Sequence, residues 1–227
     1  MNKLLALLTA LLFSCQVQAI QINNTGDSWT VNWLVSASST PGLSSDLTAT
    51  SSWLVTSFSA TQIALDISIT NTTLLTGLLT NADITTFGFG VSPDATASIA
   101  TAGSTFTQVS TGSGPQQTFP GGYKGINVCI FASGCAGGTV NNALNAGSTD
   151  SLKLLLTGNF GSGSANLSYF PIKFQTNQGS YEPAGCVNGN GCTTVPEPGM
   201  AGLLLIGLLG ITGITILRRK KSLVTLR

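Results

Sequence analysis

Residues 63–70 read IALDISIT, a run in which isoleucine or leucine alternates with alanine, aspartate, serine or threonine. Side chains of a β-strand point alternately to opposite faces of its sheet, so the run predicts a strand with one buried face. Gly, Pro and Asn punctuate similar short segments, typical of an antiparallel β-sandwich. The fold class predicted for residues 20–178 is therefore all-β. The other predicted strands lie within residues 30–35, 53–58, 86–91, 97–102, 105–110, 126–131, 152–157 and 166–175.

The composition of residues 20–194 favours β-structure and excludes one class of partner. Ser and Thr account for 49 of these 175 residues, which favours strands and turns over helices. Seven acidic and three basic side chains give a net charge of −4, so nucleic acid is not an expected partner. From Gly179 the chain becomes polar and Gly-rich, and we predict a Gly/Asn-rich loop or stalk over residues 179–194.

The N-terminal residues resemble an export signal. Lys3 supplies a positive charge, and residues 4–13 form an apolar stretch too short to span a bilayer. Small residues at Val17 and Ala19 then form a cleavage site. The sequence predicts a signal peptide at residues 1–19, handled by the export machinery, and a mature chain that begins at Ile20.

The C-terminal residues read as a membrane anchor. Residues 199–217 carry no charge, and as a helix they would span roughly 28 Å, enough for a bilayer's hydrocarbon core. The following basic residues are predicted to stay in the cytoplasm. The anchor thus predicts one transmembrane helix, with residues 20–194 on the far side of the membrane. The predicted cytoplasmic stop consists of Arg218, Arg219, Lys220 and Lys221.

Residues 195–227 together resemble the PEP-CTERM sorting domain. The match consists of a Val-Pro-Glu-Pro motif at residues 195–198, the apolar helix at 199–217 and the basic tail at 218–227. The resemblance implies that Pro196, Glu197 and Pro198 are recognised by exosortase, a membrane protease-transpeptidase that would remove the helix. It also implies a Gram-negative source that makes extracellular polysaccharide. A plain single-pass anchor is the alternative reading.

The four cysteines after the signal peptide form two pairs of equal spacing. Cys129 and Cys135 enclose five residues, as do Cys186 and Cys192. An even count in an exported chain predicts disulfides, with local pairing the simplest and crossed pairing the alternative. Zinc sites prefer closer cysteines and often histidine, which this chain lacks, so no metal site or cofactor is expected. Residues 127–138 and 170–175 resemble the "cistern" group of PEP-CTERM proteins.

No catalytic residues are predicted. Without histidine the chain has no Ser-His-Asp or Cys-His arrangement, and its carboxylates are isolated along the sequence. Trp29, Trp33 and Trp53 fit strand positions in a core better than a sugar-stacking face. We therefore expect a non-enzymatic exported protein at the cell surface or in the extracellular matrix, with a structural or adhesive role linked to exopolysaccharide. The alternative is a carbohydrate-binding module.

Overall fold

The computed structural model describes residues 19–112, 119–137, 140–161 and 163–188. These residues are all-β, apart from two short 3-10 turns, and form two antiparallel sheets. No helix in these ranges is long and apolar enough to cross a membrane. The strands are β1 (Ala19–Ile22), β2 (Ser28–Val35), β3 (Leu47–Phe58), β4 (Gln62–Asn71), β5 (Ala82–Ser92), β6 (Ala95–Thr101), β7 (Gln108–Thr111), β8 (Val128–Phe131), β9 (Thr149–Gly158), β10 (Ala165–Ser168), β11 (Ile172–Thr176), β12 (Gly179–Tyr181) and β13 (Cys186–Val187).

The six-stranded sheet has the order β13-β2-β3-β4-β9-β6. The strand predicted at residues 63–70 lies in β4, and the predicted half-burial is confirmed because Ile63, Leu65, Ile67 and Ile69 are all buried. Ile67 pairs with Trp53 of β3 on one side and with Leu152 of β9 on the other, so β4 is an interior strand of the sheet. One face of this sheet therefore packs into the core and the other meets solvent.

The seven-stranded sheet is built around β5, whose residues Ala82 to Val91 are all buried. Strands β10 and β11 follow one edge of β5 in succession, and β8 pairs with the other edge and carries β7. The outer strands are β1, beside β10, and β12, beside β11. Continuous burial of β5 means that both of its faces are covered, as in the centre of a larger structure.

Aromatic side chains join the two sheets. The ring of Trp53 in β3 stacks on Trp29 at 5.6 Å between centroids and meets Phe89 of β5 edge-on at 5.5 Å. The indole of Trp33 donates a hydrogen bond of 2.7 Å to the carbonyl oxygen of Phe170. Phe170 lies between β10 and β11, two strands of the other sheet. These contacts cross from one sheet to the other, so the molecule is a β-sandwich with an aromatic-rich core.

The outer face of β5 is covered by a segment that we call the cap, residues 119–137. The cap contributes a second apolar cluster, with Phe119, Ile126 and the two cysteines Cys129 and Cys135 as its buried members. Glycine at position 88 of β5 makes this approach feasible, because a Cβ there would lie 2.7 Å from the carbonyl oxygen of Val128. The cap therefore explains why β5 is buried on both faces.

Two sequence-based predictions need correction. The strand predicted at residues 166–175 is interrupted, because Tyr169 and Phe170 adopt positive φ angles of 74° and 45° and separate β10 from β11. The loop or stalk predicted at residues 179–194 is wrong for Gly179–Tyr181 and Cys186–Val187. These residues form β12 and β13, which pair with β11 and β2. Local composition was misleading here, because backbone pairing outweighs a Gly-rich sequence, within a hairpin for β11 and β12 and with a distant strand for β13.

Candidate functional site

The predicted sorting signal lies outside the described residues. This applies to Pro196, Glu197 and Pro198, to the helix predicted at 199–217 and to the basic residues at 218–221. The signal peptide predicted at 1–19 falls outside them except for Ala19, the first residue of β1. Both signals stay predictions.

The first cysteine pair is confirmed as a disulfide. Cys129 and Cys135 are bonded, and both are buried within the cap. By the loop-entropy model, closing so short a loop stabilises the fold by about 2 kcal/mol. The bond excludes crossed pairing for these two cysteines. Cys186 is also disulfide-bonded, and Cys192 lies outside the described residues, so the second local pair stays a prediction.

The three tryptophans are core residues. Trp29, Trp33 and Trp53 are 5%, 2% and 2% exposed, which confirms the packing interpretation. The sugar-stacking face considered as the alternative is therefore wrong for these side chains. A stacking platform needs an exposed ring, and each of these rings is enclosed between the sheets.

A charged pair lies at the edge of the cap. Lys173 Nζ is 3.8 Å from Glu182 Oε1 and donates a hydrogen bond of 2.9 Å to the carbonyl oxygen of Ala136. Burial raises the pKa of Glu182, and the nearby lysine charge only partly offsets this effect. The carbonyl oxygen of Glu182 also accepts a hydrogen bond from the Tyr123 hydroxyl. These contacts hold the cap against Lys173 in β11 and against Glu182, which follows β12. They indicate a structural role for the pair.

A groove of about 640 Å³ lies on the solvent face of the six-stranded sheet, and we call it the outer-face groove. Its side chains come from two rows that run across the strands. One row consists of Ser28, Leu54, Asp66, Lys153 and Thr101, and the other of Ser52, Ser68 and Ser151. The rows arise because every second residue of each strand faces outward and the strands are in register.

Hydroxyl and charged groups line this groove. The Ser151 hydroxyl donates to the Ser68 hydroxyl at 2.9 Å, and Lys153 Nζ lies 3.3 Å from Asp66 Oδ1. Although that distance suits an ion pair, Asp66 Oδ1 accepts no hydrogen bond from the described residues, so the lysine is out of alignment. Leu54, which is 43% exposed, adds an apolar surface within the first row, between Ser28 and Asp66. The groove can thus accept and donate hydrogen bonds to a polyhydroxylated ligand.

Sequence reasoning missed this groove. Asp66 and Ser68 are polar positions of the alternating stretch with which the strand was predicted, but their partners lie on other strands. Lys153 follows Asp66 by 87 positions, and only the register of β4 with β9 places them side by side. The sequence showed only which positions of each alternating strand are polar. It did not show which strands are neighbours, so the groove could not be predicted.

No group of three or more histidine, cysteine, aspartate or glutamate side chains suited to a metal ion occurs within the described ranges. Comparison of the chain with protein-family models, with curated proteins and with solved structures gives no match.

Proposed function

We propose that this protein is an exported, non-enzymatic component of the cell surface or extracellular matrix, with a structural or adhesive role linked to exopolysaccharide. It is delivered as a membrane-anchored precursor and cleaved by exosortase at the Pro-Glu-Pro motif. The observation that carries the proposal is the order of segments along the chain: a signal peptide, a β-sandwich body, Pro196-Glu197-Pro198, an apolar span and a basic stop.

Two features of the body support delivery outside the cytoplasm. Disulfides persist in oxidising compartments, and Cys129 and Cys135 form one within the cap. The polar faces of the sandwich rely on Ser and Thr, with few charges, which suits a hydrated polysaccharide environment. The absence of histidine removes the commonest general base and favours a binding or structural role over catalysis.

We expect the native processed protein to have an intact mass that corresponds to a chain from Ile20 to a residue near Pro198. Glu197→Ala should abolish this processing and leave the full C-terminus in the membrane fraction. Thr193→Ala, in the same polar segment but outside the motif, should be processed normally. A native protein that still ends at Arg227 would contradict sorting and favour the plain anchor.

Polysaccharide binding is a second candidate function, and the outer-face groove is the observation that favours it. Its rows of hydroxyls, the Asp66 carboxylate and the exposed Leu54 surface match the hydrogen-bonding edges and apolar faces of sugars. This version differs from the tryptophan-based module considered from the sequence, because the aromatic rings are buried. The groove would bind matrix polysaccharide without catalysing a reaction.

We expect the protein to bind purified exopolysaccharide from its own source, with affinity lowered about tenfold by the double variant Asp66→Ala/Ser68→Ala. The expected loss reflects two missing hydrogen-bonding groups in the centre of the groove. Thr96→Ala, on the exposed edge strand β6, serves as the control and should bind normally. Calorimetric titration against that polymer and against uncharged dextran provides the measurement. Equal binding by all three proteins would exclude the groove as the site.

A further inference from the structure

Residues 72–81, which we call the leucine loop, connect β4 of one sheet to β5 of the other. Three leucines of this loop face solvent: Leu74 is 73% exposed, Leu75 is 46% exposed and Leu78 is 76% exposed. Leu79, in contrast, is buried and anchors the loop to the sandwich core. The three exposed leucines form an apolar tip. Among the described residues, the other exposed large apolar side chains, Leu54 and Val140, lie outside this loop.

Hydrogen bonds from neighbouring loops hold the leucine loop in shape. The Ser45 hydroxyl donates to the Leu74 carbonyl oxygen at 3.1 Å. The side chain of Asn177 makes three hydrogen bonds to the loop. Its amide nitrogen donates to the Leu78 carbonyl oxygen at 2.8 Å, and its oxygen accepts from the Thr80 N–H at 3.0 Å and the Asn81 N–H at 3.4 Å. These backbone groups are therefore partnered within the protein, which lowers the cost of taking the loop out of water.

The charge of the loop favours an uncharged apolar partner. No charged residue occurs between Asp66 and Asp83, and the whole leucine loop is neutral. It carries no lysine or arginine that would seek anionic headgroups or an acidic protein surface. The groups of the loop that can bind a partner are therefore the leucine side chains, whose transfer from water into hydrocarbon is favourable.

The size of the tip argues against a second copy of this chain as the occupant. Three partly exposed leucines offer on the order of 300 Å² of apolar surface. A standard protein interface buries about 800 Å² on each partner, more than twice that amount. A bilayer surface needs no such complementary area, because it closes around each inserted side chain.

The leucine loop and Asn188, the last described residue, lie towards opposite ends of the sandwich. The leucine loop follows Asn71, at the end of the sandwich where β2 finishes at Val35. Strand β13 runs antiparallel to β2, and the Asn188 N–H bonds to the Thr30 carbonyl oxygen, so the chain is heading towards the opposite end. Asn188, the last described residue, thus lies towards the end of the sandwich opposite the leucines.

We propose that the leucine loop is a membrane-contacting tip, which inserts Leu74, Leu75 and Leu78 into the apolar layer of a lipid surface. The loop acts as a shallow hydrophobic wedge on a rigid β-sandwich, without help from basic residues. The inference does not depend on cleavage at the Pro-Glu-Pro motif, because it concerns a surface of the sandwich itself.

The test uses the full chain carrying Leu78→Trp, reconstituted in phosphatidylcholine vesicles with or without brominated acyl chains. The native tryptophans are buried in the core, so a new indole at position 78 reports the loop environment. We expect its fluorescence to be quenched about twofold by the brominated lipid. Adding Leu74→Ser should lower the inserted population about tenfold. Vesicles that also contain phosphatidylglycerol should give no stronger quenching than phosphatidylcholine alone.

Leu54→Trp, on the outer face of the six-stranded sheet, is the matched control and should show no quenching. Circular dichroism of each variant verifies that the fold is retained. Equal quenching of the two indoles, or none at position 78, would overturn the proposal. A shift of the position-78 emission that grows with protein concentration and ignores brominated lipid would overturn it in favour of a second copy. An emission shift that depends on neither protein concentration nor brominated lipid would overturn it in favour of the chain's own C-terminal segment as the occupant of the tip.

Discussion

Replacing Asp150 by asparagine is expected to lower the free energy of unfolding by about 3 kcal/mol at neutral pH. The Asp150 carboxylate accepts hydrogen bonds from the backbone N–H groups of Ser104, Thr105 and Phe106, at 2.7, 3.0 and 2.8 Å, and from the Ser104 hydroxyl at 3.0 Å. An asparagine side chain presents an amide N–H₂ to part of this donor set. Buried backbone donors would then lose their acceptor, and the loop between β6 and β7 would lose its tie to β9.

The effect of Asp150 depends on pH with a defined sign. Burial would raise the pKa of its carboxyl, but the hydrogen bonds from the Phe106, Ser104 and Thr105 N–H groups outweigh burial and hold the pKa below its ordinary value of 3.8. A lowered folded-state pKa means that the stabilisation is fully present above pH 3.8 and is lost as pH falls through the folded-state value. The stability difference between wild type and Asp150→Asn should therefore be constant from pH 7 to 5 and shrink below pH 3.8.

Urea unfolding at a series of pH values measures this difference. Burial raises the pKa values of Asp83 and Glu182, so their contributions have the opposite sign, but both groups are present in the two proteins and cancel in the difference. Asp66→Asn is the control, since its exposed ion pair with Lys153 is worth about 0–1 kcal/mol. A variant as stable as wild type at pH 7 would contradict the role assigned to Asp150.

Trp53→Ala is expected to lower the free energy of unfolding by about 3–5 kcal/mol, the range for large aromatic side chains removed from a core. The Trp53 ring contacts Trp29, Phe87, Phe89 and Phe170, with centroid distances from 5.5 to 6.3 Å. These rings belong to both sheets or to the connection between β10 and β11. The resulting cavity would lie where the sheets meet and cannot be filled by a small shift of one side chain.

Leu54→Ala provides a matched control one residue along β3. Leu54 points to the outer-face groove, so its truncation should cost less than about 0.5 kcal/mol. Thermal unfolding followed by near-ultraviolet circular dichroism distinguishes the two variants, because only the first disturbs packed aromatic rings. Similar losses from both substitutions would be incompatible with an inward Trp53 and an outward Leu54.

Local sequence patterns predicted most of the sheet framework. The alternation at residues 63–70 predicted β4, and shorter patterns predicted strands that overlap β2, β3, β5, β6 and β9. Alternation works where one face is buried and one is solvated, since hydropathy then reports orientation directly. It said little about β5, because the cap covers its outer face and the resulting burial has no period.

Two of the failures originate in long-range contacts. The interruption at Tyr169 and Phe170 is supported by the Trp33 indole, which bonds the Phe170 carbonyl oxygen from a strand 137 positions away. Strand β13 forms because it pairs with β2, a strand near the other end of the described chain, so no local pattern could have indicated the contact. Strand β12 is a local failure, because it pairs with the preceding strand β11 through a turn at residues 177–178 and its Gly-rich composition hid the hairpin.

The sequence by itself determined the strand character of this protein, because alternation depends on residues that are near one another in the chain. It also favoured buried tryptophans and local pairing of Cys129 with Cys135, and the structure confirms both. The export and sorting signals on which the proposed function rests are predictions from the sequence alone. Only the tertiary structure decided the outer-face groove, the cap over β5 and the solvent exposure of the leucine loop. These depend on which strands become neighbours, and strand register is set by the packing of the whole sandwich.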